Sequence, residues 1–171
     1  MAFIVEDGTG KPDANSYVSL AEADDYFLTR GIAEWTGTDA EKEAALVRAT
    51  DYLDGRYGLR FIGEKVSTTQ ALSWPRKDAD PYLDTEIPPK LKRACCELAL
   101  RALKGELVPD PQIDASGFRV FATRKKVGPI ETQFAVPMGV GMAAYSALPE
   151  YPAVELYLSG LLKFSRRVVR A

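Results

Sequence analysis

Apolar residues recur at helical spacing in four stretches of this chain. In NSYVSLAEADDYFLTRG, Leu20, Ala23, Phe27 and Leu28 fall on one face. Ser19 is placed to cap that helix, Glu22 completes a capping box, and Gly31 stops it. In TGTDAEKEAALVRATDYLDGRYG, the stripe is Ala45, Leu46, Ala49, Leu53 and Tyr57, with Tyr52 beside it. Thr38 and Glu41 form the second capping box, and Gly58 is the expected end. The strongest pattern is IPPKLKRACCELALRALKGEL. Leu91, Ala94, Cys95, Leu98, Ala99, Ala102 and Leu103 share one face, with Pro88 and Pro89 at the start and Gly105 at the end. A fourth, short helix places Val154, Tyr157, Leu158, Leu161 and Leu162 on one side.

Between the second and third helices the pattern breaks. Residues 59–87 are rich in Pro, Asp, Ser and Thr, with one helical turn expected at Thr68–Leu72, ended by Trp74 before Pro75. Trp74 and Pro75 read as a structural plug of this irregular segment, with Arg76 and Lys77 at the surface. Phe3–Val5 reads as a short strand or extended arm. Beyond Pro111 the residues turn β-branched and aromatic. GFRVFATRKKVGPIETQFAV predicts two strands about Gly128-Pro129, followed by a linker of small residues. The fold class expected is mainly α: a helical bundle of three main helices plus a short C-terminal helix, with an extended or β-hairpin arm. The expected organisation is a single domain. It comprises a helical body over 1–112, an arm over 113–136, and a linker with a C-terminal docking segment over 137–171.

Charge adds a polarity along the chain. Residues 1–60 hold 12 acidic and 6 basic side chains, and residues 61–171 hold 12 and 16. The overall balance of −2 gives no global attraction to nucleic acid, but the two parts form complementary faces. The two cysteines are adjacent, which builds no disulfide framework and points to a reducing compartment. No charged start followed by an apolar run marks a secretory leader, and no apolar run is long enough to cross a bilayer. The expectation is a soluble protein made in the cytoplasm, without membrane partners.

There is no histidine, so Ser-His-Asp and Cys-His constellations cannot form. Cys95-Cys96 diverge by about 100° on a helix, which disfavours a shared metal, so they read as one buried residue beside a partly exposed neighbour. The acidic pairs Asp24-Asp25, Asp51/Asp54 and Asp78/Asp80 lack cation-loop spacing and read as solvated faces and turns. GTG and GVG lack the lysine and the strand-to-helix setting of a phosphate loop. No cofactor, metal or catalytic residue is expected. GFRVFATRKK is the one ambiguous stretch. Phe118, Arg119, Phe121, Arg124, Lys125 and Lys126 have the interleaving that stacks bases and follows phosphates of a single strand. A strand with a basic edge that resists aggregation is the plainer reading.

The stretches VEDGTGKPDANSYVSLAEADDYF, ALVRATDYLDGRY, QALSWPR, IPPKLKRACCELALRAL and KKVGPIETQF, in that order, carry a family resemblance. The chain resembles tailed-bacteriophage proteins labelled DnaT-like single-stranded DNA-binding proteins, which are similar to head–tail connector adaptors, or head-completion proteins. The resemblance spans roughly residues 1–135. It implies a non-enzymatic virion protein at the capsid–tail neck, synthesised in the host bacterial cytoplasm. It further implies a ring, typically dodecameric, beneath the portal protein and above a tail-side connector or tail terminator. Genomic DNA would pass through without sequence specificity. On this reading Phe118, Phe121, Arg124, Lys125, Lys126, Ile130 and Phe134 belong to an inter-subunit arm. Leu161, Leu162, Phe164, Arg166, Arg167, Val168 and Arg170 would dock on the portal. The alternative is a single-stranded DNA-binding module using the stretch 118–126.

Overall fold

The computed structural model describes residues 2–110, 123–127, 130–134 and 149–163, with only the backbone described for 123–127 and 130–134. Its elements in order are α1 (Leu20–Thr29), α2 (Asp39–Tyr57), a 3₁₀ turn (Gly58–Arg60), β1 (Glu64–Lys65), β2 (Arg76–Lys77), α3 (Pro89–Lys104), β3 (Thr123–Val127), β4 (Ile130–Phe134) and α4 (Pro152–Leu158). The protein is mainly α with a β-hairpin. It divides into one unit of residues 1–107 and 151–171 and a second of residues 108–150.

Both capping boxes form. Ser19 Oγ accepts from Glu22 N at 3.3 Å while Glu22 Oε2 accepts from Ser19 N at 2.9 Å. Thr38 and Glu41 repeat this at 3.3 and 2.8 Å. Each box satisfies two amide donors that the first helical turn leaves without partners. The end of α2 differs from expectation: Gly58 stays right-handed and the chain continues into the 3₁₀ turn.

The core of the first unit is built around α3, which packs most extensively against α2 and α4 and also touches α1. Leu91, Ala94, Cys95, Leu98, Ala99 and Ala102 are buried along it, facing Leu46, Ala49 and Leu53 of α2 and Val154 and Leu158 of α4 in one cluster. Each such leucine contributes about 1.5–3 kcal/mol. Cys96, expected to be partly exposed, is also buried, because α1 covers that flank of α3. On α1 the buried residues are Ala23, Tyr26 and Phe27, while Leu28 is 79% exposed.

Three further expectations are corrected. Thr68–Leu72 forms bends and no helical turn. There Gln70 Oε1 takes the amide of Ser67 and its Nε2 donates to the carbonyls of Leu72 and Pro75, holding the backbone open. Of the two expectations for Phe3–Val5, a short strand or an extended arm, the strand does not form, and the segment pairs through a single bridge, Val5 to Ser16. The described part of the C-terminal segment, residues 151–163, is not separate from the body. α4 lies in the core, Ile62 N donates to Leu161 O at 2.9 Å, and Lys163 N to Arg60 O at 2.7 Å.

The N-terminal loop is closed by a buried carboxylate. Glu6 accepts from the amides of Gly8, Gly10 and Lys11 at 2.8–2.9 Å. Gly8 has φ +99°, and a Cβ there would meet Thr85 O at 1.9 Å, so only glycine permits this contact.

Candidate binding surfaces

The segment QALSWPRK is a closed structural lock. Trp74 is fully buried, with Phe61 and Tyr82 edge-on to it at 6.0 Å each, and the Trp74-Pro75 bond is cis. The backbone leading into it is tied down by a buried pair. Tyr17 Oη donates to Asp54 Oδ1 at 2.5 Å and accepts from Ser73 N and Trp74 N at 3.0 and 3.2 Å. Asp54 Oδ2 accepts from Ser73 N at 2.7 Å. Burial lifts the Asp54 carboxyl above its usual range, against the downward pull of these bonds, and lifts the Tyr17 phenol well above its own.

Arg76 is buried, not on the surface as expected. Its guanidinium donates to the carbonyls of Ile62, Ser73 and Gly63 at 2.6, 3.1 and 2.8 Å. Burial lowers its pKa somewhat from the usual arginine value. The planar five-donor head matches these three carbonyls, and the nearby carboxylates of Asp54 and Glu64 favour its charged form. Sequence reasoning passed over Glu6 and Tyr17, and it placed Asp54 on a solvated face and Arg76 at the surface. Their roles depend on segments distant in sequence, so no local pattern marks them.

The other candidates for chemistry are also closed. Cys95 lies against Thr50 Oγ1 at 3.5 Å, and burial pushes its thiol up to about 12, so it is an inert thiol at neutral pH. Asp24 accepts from Trp35 Nε1 at 2.6 Å and from Lys42 at 2.8 Å, which holds its carboxyl below the usual range despite partial burial. Among the described residues no group of three or more His, Cys, Asp or Glu side chains is placed to hold a metal ion. No helix among them is long and apolar enough to cross a membrane.

Among its described residues the first unit carries no fully exposed aromatic side chain. Every described aromatic side chain there is buried or half-buried, including Phe3, Tyr82, Tyr151 and Tyr157 at the periphery.

The second unit holds the hairpin. β3 and β4 pair antiparallel with Thr123 opposite Phe134, Arg124 opposite Gln133, Lys125 opposite Thr132, Lys126 opposite Glu131 and Val127 opposite Ile130. The register sets three consecutive basic positions on one strand against a single acidic position on the other. Side chains of Arg124, Lys125, Lys126, Ile130 and Phe134 lie outside the described residues, as do Phe118, Arg119 and Phe121 entirely. At the C-terminus, Leu161 is fully buried and Leu162 half-buried, pairing with Phe61. Leu161 therefore has no surface to offer a portal; it is a core residue of this chain, correcting its assignment as a docking anchor. Phe164, Arg166, Arg167, Val168 and Arg170 lie outside the described residues.

An open cleft of about 450 Å³ lies at the other end of α2. Phe27 and Trp35, stacked at 4.5 Å, line it together with Leu28, Ile32, Asp24, Asp25 and Lys42.

These features define a mainly α-helical protein with an appended basic hairpin. The chain belongs to the family described as "Putative DnaT-like ssDNA binding protein", whose sequence profile matches residues 1–171. No curated protein and no solved structure matches the chain.

Proposed function

We propose that the protein is a non-catalytic DNA-binding module that holds single-stranded DNA through the stretch 118–126. The observation that carries this reading is the family match over the whole chain, together with a hairpin strand bearing Arg124, Lys125 and Lys126 in succession. The closed state of the first unit supports it by elimination: its aromatic side chains are engaged in packing. Phe118 and Phe121 supply base-stacking faces beside the three cations, which follow phosphates. Anisotropy of a labelled oligothymidylate, titrated with the full chain at low and at moderate salt, tests this. Binding that weakens steeply with salt and exceeds binding to a duplex of equal length is expected. Absence of binding at low salt removes the reading.

One observation favours a second reading, a virion head–tail adaptor. A two-stranded hairpin is marginal in water without further packing, and this one belongs to the second unit, residues 108–150. In a ring beneath the portal, the hairpin would pack on the adjacent subunit, with DNA passing through the channel. Electron microscopy of purified particle necks tests it: particles that lack this chain at the neck exclude the adaptor.

A further inference from the structure

We infer that the first unit does not need its chain connection through residues 108–150: α4 is a docked segment that keeps its groove when the chain is cut within the second unit. The first unit is assembled from two separate stretches, residues 1–107 and 151–171, and the second unit is inserted between them. The chain leaves the first stretch and returns to it at one place. Tyr151 Oη donates to Leu107 O at 2.8 Å, so the residue that opens the returning stretch is bonded to the residue that closes the departing one. Tyr151 is itself seated in the first unit, edge-on to Tyr52 at 5.5 Å and 5.7 Å from the Arg101 guanidinium. Leu107 is buried. Both ends of the insert are thus fixed by residues outside it.

α4 is held in the same manner. It has seven residues, too few for a stable helix alone, so its form comes from the groove that α2 and α3 leave for it. Val154, Leu158 and Leu161 are each fully buried there, at the spacing of anchors on an amphipathic segment laid in a groove. Polar contacts fix its position. Tyr57 Oη donates to Glu155 Oε1 at 2.5 Å, and Tyr26 Oη lies 3.5 Å from Tyr157 Oη. Ile62 N donates to Leu161 O, and Lys163 N to Arg60 O.

Every partner of α4 named here belongs to residues 1–107. In the intact chain the insert acts on α4 as a tether, which raises the concentration of α4 at its groove. A cut in the insert turns docking into an association of two pieces and leaves each of these contacts in place. The fold therefore separates the two units in consequence: proteolysis within 108–150 damages what the second unit does and spares the helical body. The inference concerns the first unit alone and does not depend on what the second unit binds.

The full chain, carrying a specific protease site between Val140 and Gly141 and cut to completion, tests the inference. Size-exclusion chromatography and far-UV circular dichroism follow the cut protein through a dilution series. The two pieces should elute together at the position of the uncut chain, keep its helical signal, and separate only on dilution. Leu161→Ala should move that separation to a concentration more than about tenfold higher, and Leu156→Ala, on the exposed side of α4, should leave it in place. Pieces that separate at every concentration, or a cut chain that loses its helical signal, overturn the inference. So does a Leu161→Ala chain whose pieces separate where those of the unsubstituted chain do, since something other than the α4 groove would then hold them.

Discussion

Tyr17 Oη donates to Asp54 Oδ1 across 2.5 Å, joining the segment before α1 to the last turn of α2, and the same phenol takes the amides of Ser73 and Trp74. One hydroxyl thus fixes three segments. Tyr17→Phe removes it without changing the ring. Two buried amides lose this acceptor, and Trp74 N is left with no other. The expected loss is about 1–3 kcal/mol in urea unfolding, given the penalty for an unsatisfied buried group.

Arg76 provides the second prediction. Its three bonded carbonyls lie in a fork that an ammonium cannot span. Arg76→Lys should cost about 1–3 kcal/mol although it conserves charge, while Lys77→Ala next to it should change stability by less than about 0.5 kcal/mol. Thermal unfolding of the two variants side by side makes the comparison.

The C-terminal segment gives a third. Leu161→Ala should destabilise by about 2–5 kcal/mol because it opens a cavity in the core. Leu156→Ala, on the exposed side of α4, should move stability by less than about 0.5 kcal/mol. Equal effects at the two positions would mean α4 does not pack as described.

Acid stability follows from Glu22 and Asp24. Both are partly desolvated, which alone would raise their pKa values. Bonds to Lys92 and Ser19, and to Lys42 and Trp35, hold the net values below the usual carboxylate range. A lowered folded-state pKa contributes stability above the unfolded value, about 4, and that contribution is lost as pH falls through the folded one. Asp54 has the opposite sign: its raised value favours the folded state at low pH, and the benefit disappears as pH rises through it. Glu22→Gln with Asp24→Asn, which keeps the capping and indole acceptors, should flatten the loss of stability below pH about 4. An unchanged slope there would contradict these assignments. Urea unfolding across pH makes the test.

The helices were legible because their signals are local. Ser19 with Glu22, and Thr38 with Glu41, announce their helix starts within four residues, and the α3 stripe from Leu91 to Ala102 needs only its own periodicity. The hairpin was legible from β-branched residues flanking Gly128-Pro129. The placement of Arg76 was not, since its acceptors belong to residues 62, 63 and 73, brought together by the fold. Leu161 was misread for a related reason. An apolar helix after a small-residue linker looks detached in sequence, yet α3 and the 3₁₀ turn leave it a place in the core. Leu28 failed in the other direction: helical spacing placed it inward, and Tyr26 occupies the inner face in its stead.

The most direct measurement is the salt dependence of single-stranded DNA affinity for the full chain and two triple variants. Arg124→Ala, Lys125→Ala and Lys126→Ala neutralise the hairpin strand; Lys77→Ala, Lys90→Ala and Arg93→Ala neutralise three exposed cations of the helical unit. Each phosphate contact contributes about 0.7 to the slope of log K against log salt for a single strand, so the hairpin variant should lose about 2 from it and bind far more weakly. The helical-unit variant should keep the unsubstituted slope. A hairpin variant that binds and titrates with salt like the unsubstituted chain would contradict the account.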